Sequence, residues 1–177
     1  MEETGAGQHY RDARITTIYE GTNGVQAMDL LGRKIVRDGG EAAQIFMAKV
    51  EKTIDQLDLK IESHASLSKH LKDSIGALRE TVDWMLDTFK LEPGYAAAGA
   101  TALVEMMGLI SGGWMLARGA IEASRQISDG SGDPKFLSSK LVTARYFAEV
   151  HLSRASSLVG PIKNGGSCVM DFDAAQF

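Results

Sequence analysis

Between Leu67 and Phe89 the apolar residues Leu67, Leu71, Ile75, Leu78, Val82, Met85 and Phe89 advance by three or four positions without a lapse. This is the spacing of one face of an α-helix and not the alternation of a half-buried strand. A helix with one long apolar stripe has to lay it against other helices, and the rest of the sequence supplies them. Val25, Met28, Leu31 and Ile35 mark an amphipathic helix that follows Asn23 and stops at Gly39-Gly40. Residues 41–63 repeat the period through Phe46, Val50, Ile54, Leu57 and Ile61.

Pro93-Gly94 breaks the chain, and the next helix is expected to run to Ile127, ahead of the Asp129-Gly130-Ser131-Gly132 punctuation. Asp133-Pro134 has the chemistry of a helix cap and first turn. Leu137, Leu141, Ala144, Ala148, His151, Ala155 and Leu158 form the inward stripe of a last helix that Gly160-Pro161 is expected to end. Short connections between long helices favour antiparallel neighbours. The expected fold is therefore all-α, an up-and-down four-helix bundle over residues 41–162, preceded by a loop and one amphipathic helix. The tail 163–177, with Val169, Met170, Phe172 and Phe177, is expected to dock back on the bundle.

Charge and cysteine content narrow the function classes. A net charge of -4 argues against nucleic acid as a partner, because phosphate binding needs clustered Lys and Arg. The single cysteine, Cys168, cannot form an internal disulfide, and no basic-then-apolar segment opens the sequence, so the expected location is cytoplasmic. The weakly charged run Gly94–Ala117 carries only Glu105 and raises the question of a membrane span. Its apolar content is mostly Ala and Gly without flanking aromatic belts, which fits a central bundle helix better than a span.

The chemistry-bearing stretch lies near the start. Tyr10-Arg11-Asp12-Ala13-Arg14-Ile15 is followed by Ile18-Tyr19-Glu20-Gly21-Thr22-Asn23-Gly24-Val25-Gln26. A carboxylate directly before glycine, in a turn entering a helix, is well placed to act as a base. The glycine permits close approach of a ligand, and the free N–H groups of the helix start can receive acceptor atoms. The bland alternative is a capped surface loop, with Glu20 solvated, Thr22 or Asn23 capping the helix, and Arg11, Asp12 and Arg14 in surface pairs.

Other candidates read as structure. Gly5-Ala6-Gly7 lacks a preceding strand and a Walker lysine. His9, His64, His70 and His151 have no metal-ligand spacing, so no metal is expected. Asp55, Asp58 and Glu62 are expected to be solvated, and Cys168 to be inert. Trp84, Trp114, Met106, Met107 and Met115 are expected to fill helix interiors.

Arg11-Asp12-Ala13-Arg14-Ile15 followed by Ile18-Tyr19-Glu20-Gly21-Thr22-Asn23 resembles the signature near the end of acyl-CoA dehydrogenases. The likeness covers roughly residues 2–37. The helical extension beyond it is similar to the branch of that family with an extra C-terminal domain, which includes methylthiopropanoyl-CoA dehydrogenases. The resemblance implies that residues 1–40 end the dehydrogenase helical domain and that 41–162 are the extension. It also implies an FAD cofactor, an acyl-CoA substrate, electron transfer to an electron-transfer flavoprotein, and a homo-oligomer.

Carried over by position, Glu20 would be the base that removes the α proton, and its backbone N–H would help polarise the thioester carbonyl. Gly21 would line the acyl chain, and Thr22, Asn23 and Gly24 would approach the flavin. At Gly24 relatives often carry a side chain, so only its backbone could make that contact. Relatives also hold most flavin and CoA contacts in two further domains, and a glycine-rich flavin-contacting segment precedes the position of Glu2-Glu3-Thr4-Gly5. The expectation is an incomplete catalyst, inactive alone; the alternative is a noncatalytic helical interaction or oligomerisation domain.

Overall fold

The computed structural model describes residues 3–19, 22–173 and 175. Among these there is no strand, and the fold is an all-α bundle. In chain order the helices are α1 (Ala6–Ile15), α2 (Asn23–Asp29), α3 (Glu41–Ile54), α4 (Glu62–Leu91), α5 (Pro93–Ala98), α6 (Ala100–Ser128), α7 (Pro134–Val150) and α8 (Val159–Met170). A π-helical segment, Leu30–Val36, continues α2, and a 3-10 segment, Leu152–Leu158, joins α7 to α8.

The Leu67–Phe89 stripe organises the core. Leu67, Leu71, Leu78, Val82 and Met85 have no exposed surface, and Phe89 packs at the edge of the same cluster. α6 faces this stripe with Leu103, Met106 and Ile110, all fully buried. The two helices run antiparallel: His64 meets Ser124 near one end, and Leu71 meets Gly113 midway. A Cβ on Gly113 would stand 2.7 Å from Leu152 and 3.3 Å from Leu71, so a side chain there would require these leucines to repack. α3 lies on α4 and α6, while α7 lies on the same pair and runs parallel to α4, with Glu62 against Arg145 and Ser66 against Glu149. By length and apolar composition α6 is also the one described helix that could cross a membrane.

Local chemistry fixes the ends of the elements. Gly40 has φ 89°, a left-handed conformation that favours glycine, and a Cβ there would come within 2.9 Å of Leu86. The Asp38 carboxylate accepts from the N–H groups of Gly40 and Ala42, both at 3.0 Å, and so starts α3. Asp133 accepts from the N–H of Lys135 at 3.0 Å, with Pro134 as the first residue of α7.

Several boundaries differ from the expected ones. α3 stops at Ile54 instead of continuing to residue 63. Leu57 and Ile61 keep the helical period, but they sit in a turn: Asp58 donates its backbone N–H to His64 Nδ1 at 3.2 Å, and its carboxylate accepts from the N–H of Lys60 at 2.9 Å. α4 starts at Glu62, five residues ahead of the apolar stripe, because Ser63 and His64 are buried as polar residues. The helix expected after Pro93 is two, α5 and α6, which meet at Gly99.

Gly160-Pro161 does not end a helix. Both lie in the first turn of α8, where backbone N–H groups have no intrahelical partner, so proline is tolerated. α8 packs along α5, with Gly166 against the Tyr95 backbone and Met170 against Gly94, and Lys163 Nζ donates to Glu80 Oε1 at 2.5 Å. Of the bulky residues assigned to interiors, Met106 is buried and Trp84, Met107 and Trp114 pack at the core edge, but Met115 is 46% exposed.

Candidate functional site

The N-terminal segment is built unlike the bundle. No residue of α1 is buried, and among the described residues the first buried one is Ala27. α1 is held by its own polar side chains: Gln8 donates to Asp12 at 2.7 Å, Arg11 donates to Gln8 at 3.1 Å, and Arg14 donates to Thr17 at 3.3 Å. Meanwhile Tyr10, Ile15, Ile18 and Tyr19 are each more than half exposed. They line, with Arg11 and Arg14, an open cleft of about 480 Å³.

Glu20 and Gly21 lie outside the described residues. Thr22 stands at the entry to α2 with extended backbone, and its side chain makes no capping bond. Gly24 sits in the first turn of α2, and among the described residues a Cβ there would meet only the Thr22 hydroxyl, at 4.0 Å. Thr22, Asn23 and Gly24 are all exposed.

The expected inward stripe of this helix needs correction. Val25 and Met28 are 58% and 45% exposed, and the buried positions are Ala27, Leu31 and Ile35. A strict spacing of four drifts by about 40° per step around a regular α-helix. The π segment takes this up: Arg37 donates to the Gly32 carbonyl at 3.1 Å, five residues back. The wider turn advances less per residue and keeps the three residues on one face. Val25 and Met28 are turned outward, where with Gln26, Asp29 and Arg33 they line a second cleft of about 510 Å³. The spacing of Ala27, Leu31 and Ile35 was present in the sequence, but alanine carries too little apolar weight to reveal it beside valine and methionine.

Elsewhere, no group of three His, Cys, Asp or Glu among the described residues could hold a metal ion. Cys168 is exposed. His64 is buried with both ring nitrogens engaged, Nδ1 by the Asp58 N–H and Nε2 by Ser124 Oγ at 3.1 Å. Because Nδ1 accepts, the neutral ring carries its proton on Nε2 and donates to Ser124. His64 is thus a brace between the turn and α6, and not a base acting on the serine.

Comparison with known proteins decides the family. Residues 46–173 match the family described as acetyl-CoA dehydrogenase C-terminal like. The chain belongs to that family. It is 36% identical over 170 residues to the 3-methylmercaptopropionyl-CoA dehydrogenase of Ruegeria pomeroyi, covering 96% of this chain and 29% of that protein. It is 31% identical over 180 residues to the broad-specificity linear acyl-CoA dehydrogenase FadE5 of Mycobacterium tuberculosis, again covering 96% of the chain and 29% of the relative. A butyryl-CoA dehydrogenase of Syntrophomonas wolfei is 26% identical over 153 residues, 83% of the chain and 24% of the relative. The chain thus spans less than a third of each of these acyl-CoA dehydrogenases, and the likeness to the first two runs through the Glu20 turn as well as the C-terminal-like domain.

Proposed function

We propose that this chain is the C-terminal part of an FAD-dependent acyl-CoA dehydrogenase that converts an acyl-CoA thioester to its 2-enoyl-CoA, with Glu20 as the base. The observation that carries the reading is the contrast on either side of Ala27. From there onward side chains close a core, while the flanks of the Glu20 turn hold out Tyr10, Ile15, Ile18, Tyr19, Val25 and Met28 to be covered. Exposed apolar clusters of this kind mark surfaces that meet another body.

On this reading the start of α2 would form one edge of a flavin site. The exposure of Thr22, Asn23 and Gly24 at the start of α2, with no described atom nearer than 4.0 Å to a Cβ on Gly24, supports approach of a polar ring edge to this backbone. When bound, FAD would supply the two-electron oxidant that takes the hydrogen leaving Cβ. Glu20 would receive the α proton, so the Cα–H and Cβ–H bonds break and the α,β double bond forms. The Glu20 N–H would draw density from the thioester carbonyl, easing loss of a weakly acidic proton. Gly21 would line the acyl chain, and Thr22, Asn23 and Gly24 would face the cofactor. One edge is no complete site, so the chain alone is proposed to be inactive. Electrons would pass on to an electron-transfer flavoprotein.

In the full-length protein, Glu20→Gln should retain flavin and lose most turnover of butyryl-CoA and 3-methylmercaptopropionyl-CoA with a dye acceptor. Undiminished turnover would remove Glu20 from the reaction.

A second reading, assembly, is favoured by α7. Opposite its buried Leu137, Ala144 and Ala148 it shows Phe136, Val142, Tyr146 and Val150, all more than 40% exposed. The bundle would then also join copies of the enzyme, and sedimentation of a Val142→Asp/Tyr146→Asp variant should report a smaller species than wild type.

A further inference from the structure

We propose that the outer face of α7 is an interface between two copies of this chain, paired antiparallel about Val142, with Lys135 of each copy against Glu149 of the other. The inference rests on the assembly reading above and names the partner and register that reading leaves open. Val142, Tyr146 and Val150 follow one another by about one turn, and Phe136 heads the same face; they are 69%, 57%, 43% and 56% exposed. Ser139 and Thr143 lie between them on that face. Each hydroxyl donates back to its own helix, Ser139 to the Lys135 carbonyl at 2.9 Å and Thr143 to the Ser139 carbonyl at 2.8 Å. Both donors are satisfied without water, so the stripe can be covered without leaving them unpaired.

The charges along its edge select a second copy and its direction. Lys135 and Glu149 are both exposed and about four turns apart, so they stand on one edge of the stripe at its opposite ends. A twofold axis crossing two antiparallel α7 helices keeps equal edges together and reverses their direction, which brings each Lys135 to the other copy's Glu149. Parallel pairing would gather both lysines at one end and both glutamates at the other, without this match. Glu149 is held in place by donation from Arg145 Nε at 2.8 Å and Ser66 Oγ at 3.3 Å, and a carboxylate has room for a further donor. With Val142 at the axis, Tyr146 falls opposite Ser138 and Ser139 of the other copy, a large ring against two small side chains. An edge of basic residues alone would suit an anionic lipid surface, whereas an edge with a base at one end and an acid at the other suits its own copy.

The test uses the full-length protein carrying Val142→Cys, Thr143→Cys, Phe136→Cys or Lys135→Glu, with Val142→Asp/Tyr146→Asp as the reference for loss of assembly. A short bismaleimide should join two Val142→Cys copies through position 142, located by peptide mass spectrometry, and Thr143→Cys should link in the same way. Phe136→Cys should not link to itself, because the two positions lie about 18 Å apart along the helices. Lys135→Glu should weaken self-association about tenfold in sedimentation at low salt, since two ion pairs become like-charge contacts. Phe136→Cys copies joined to each other would overturn the antiparallel pairing. So would the absence of links at 142 and 143 in a protein whose Val142→Asp/Tyr146→Asp variant is smaller, or a Lys135→Glu protein that associates as tightly as wild type. A Val142→Asp/Tyr146→Asp protein of unchanged size would overturn the assembly reading itself, and this pairing with it. If that variant instead loses a co-sedimentation of wild type with phosphatidylcholine–phosphatidylglycerol vesicles, the face is a lipid contact and the pairing is wrong.

Discussion

The indole N–H of Trp114 donates to Thr53 Oγ1 at 2.8 Å, a bond that joins α6 to the last turn of α3 across 61 positions of sequence. The Thr53 hydroxyl in turn donates to the Lys49 carbonyl at 3.2 Å, and Phe46 stands edge-on to the indole with ring centroids 5.8 Å apart. The Arg118 guanidinium lies over the same ring at 5.8 Å. One tryptophan thus pins the last turn of α3 to α6.

Replacing Thr53 with valine keeps its shape and removes the acceptor, leaving the Trp114 N–H without its partner. A loss of about 1–2 kcal/mol is expected in urea unfolding, with a change in tryptophan emission because the indole environment is altered. A variant as stable as wild type would show that water replaces the hydroxyl at no cost.

His64→Leu should cost about 1–3 kcal/mol, because it strips partners from the Asp58 N–H and the Ser124 hydroxyl. For a chain of this size each kcal/mol corresponds to roughly 2–4 °C in melting temperature. Hydrogen exchange at the Asp58 amide should accelerate more than at Leu78, since the brace holds the turn and not the core stripe.

Leu78→Asp or Val82→Asp places an unpaired carboxylate at a fully buried position and should leave the chain unfolded or molten at room temperature. A cooperative thermal transition near that of wild type would show that the α4 stripe is not the centre of the core.

Acid should act through the end of α6. The Arg125 guanidinium, helped by the Gln126 amide, holds the Glu122 carboxyl down from 4.5 to about 2. A folded-state value below the unfolded one stabilises the fold above about pH 4.5, and that contribution is lost as the pH falls toward 2. Both partners are exposed, so the effect is a modest slope. Arg125→Gln should flatten the fall in melting temperature over that window relative to wild type and leave the two curves parallel above it.

Legibility followed how locally each feature is determined. The stripe from Leu67 to Phe89 was readable because one helix face carries all its information. Asp133-Pro134 was readable because a cap is made by adjacent residues. The end of α3 was not: Leu57 and Ile61 continue the helical period, and the residue that turns the chain away is His64, itself held by Ser124 sixty positions on. Pro161 was misleading, since the same ring that breaks a helix interior suits its first turn. At the candidate site the motif suggested its chemistry through adjacent residue types alone, and Glu20 and Gly21 lie outside the described residues. Which side of α2 meets the bundle was not legible, because Ala27, which makes that contact, carries too little apolar weight beside Val25 and Met28.

The most direct test of the central claim is a single-turnover experiment with the full-length protein, mixing wild type and Glu20→Gln anaerobically with butyryl-CoA or 3-methylmercaptopropionyl-CoA and following flavin absorbance. Rapid bleaching in wild type and none in the variant, at equal flavin content, is the predicted result. Bleaching of both at similar rates would show that the α proton leaves by another route and would contradict the assignment of Glu20 as base.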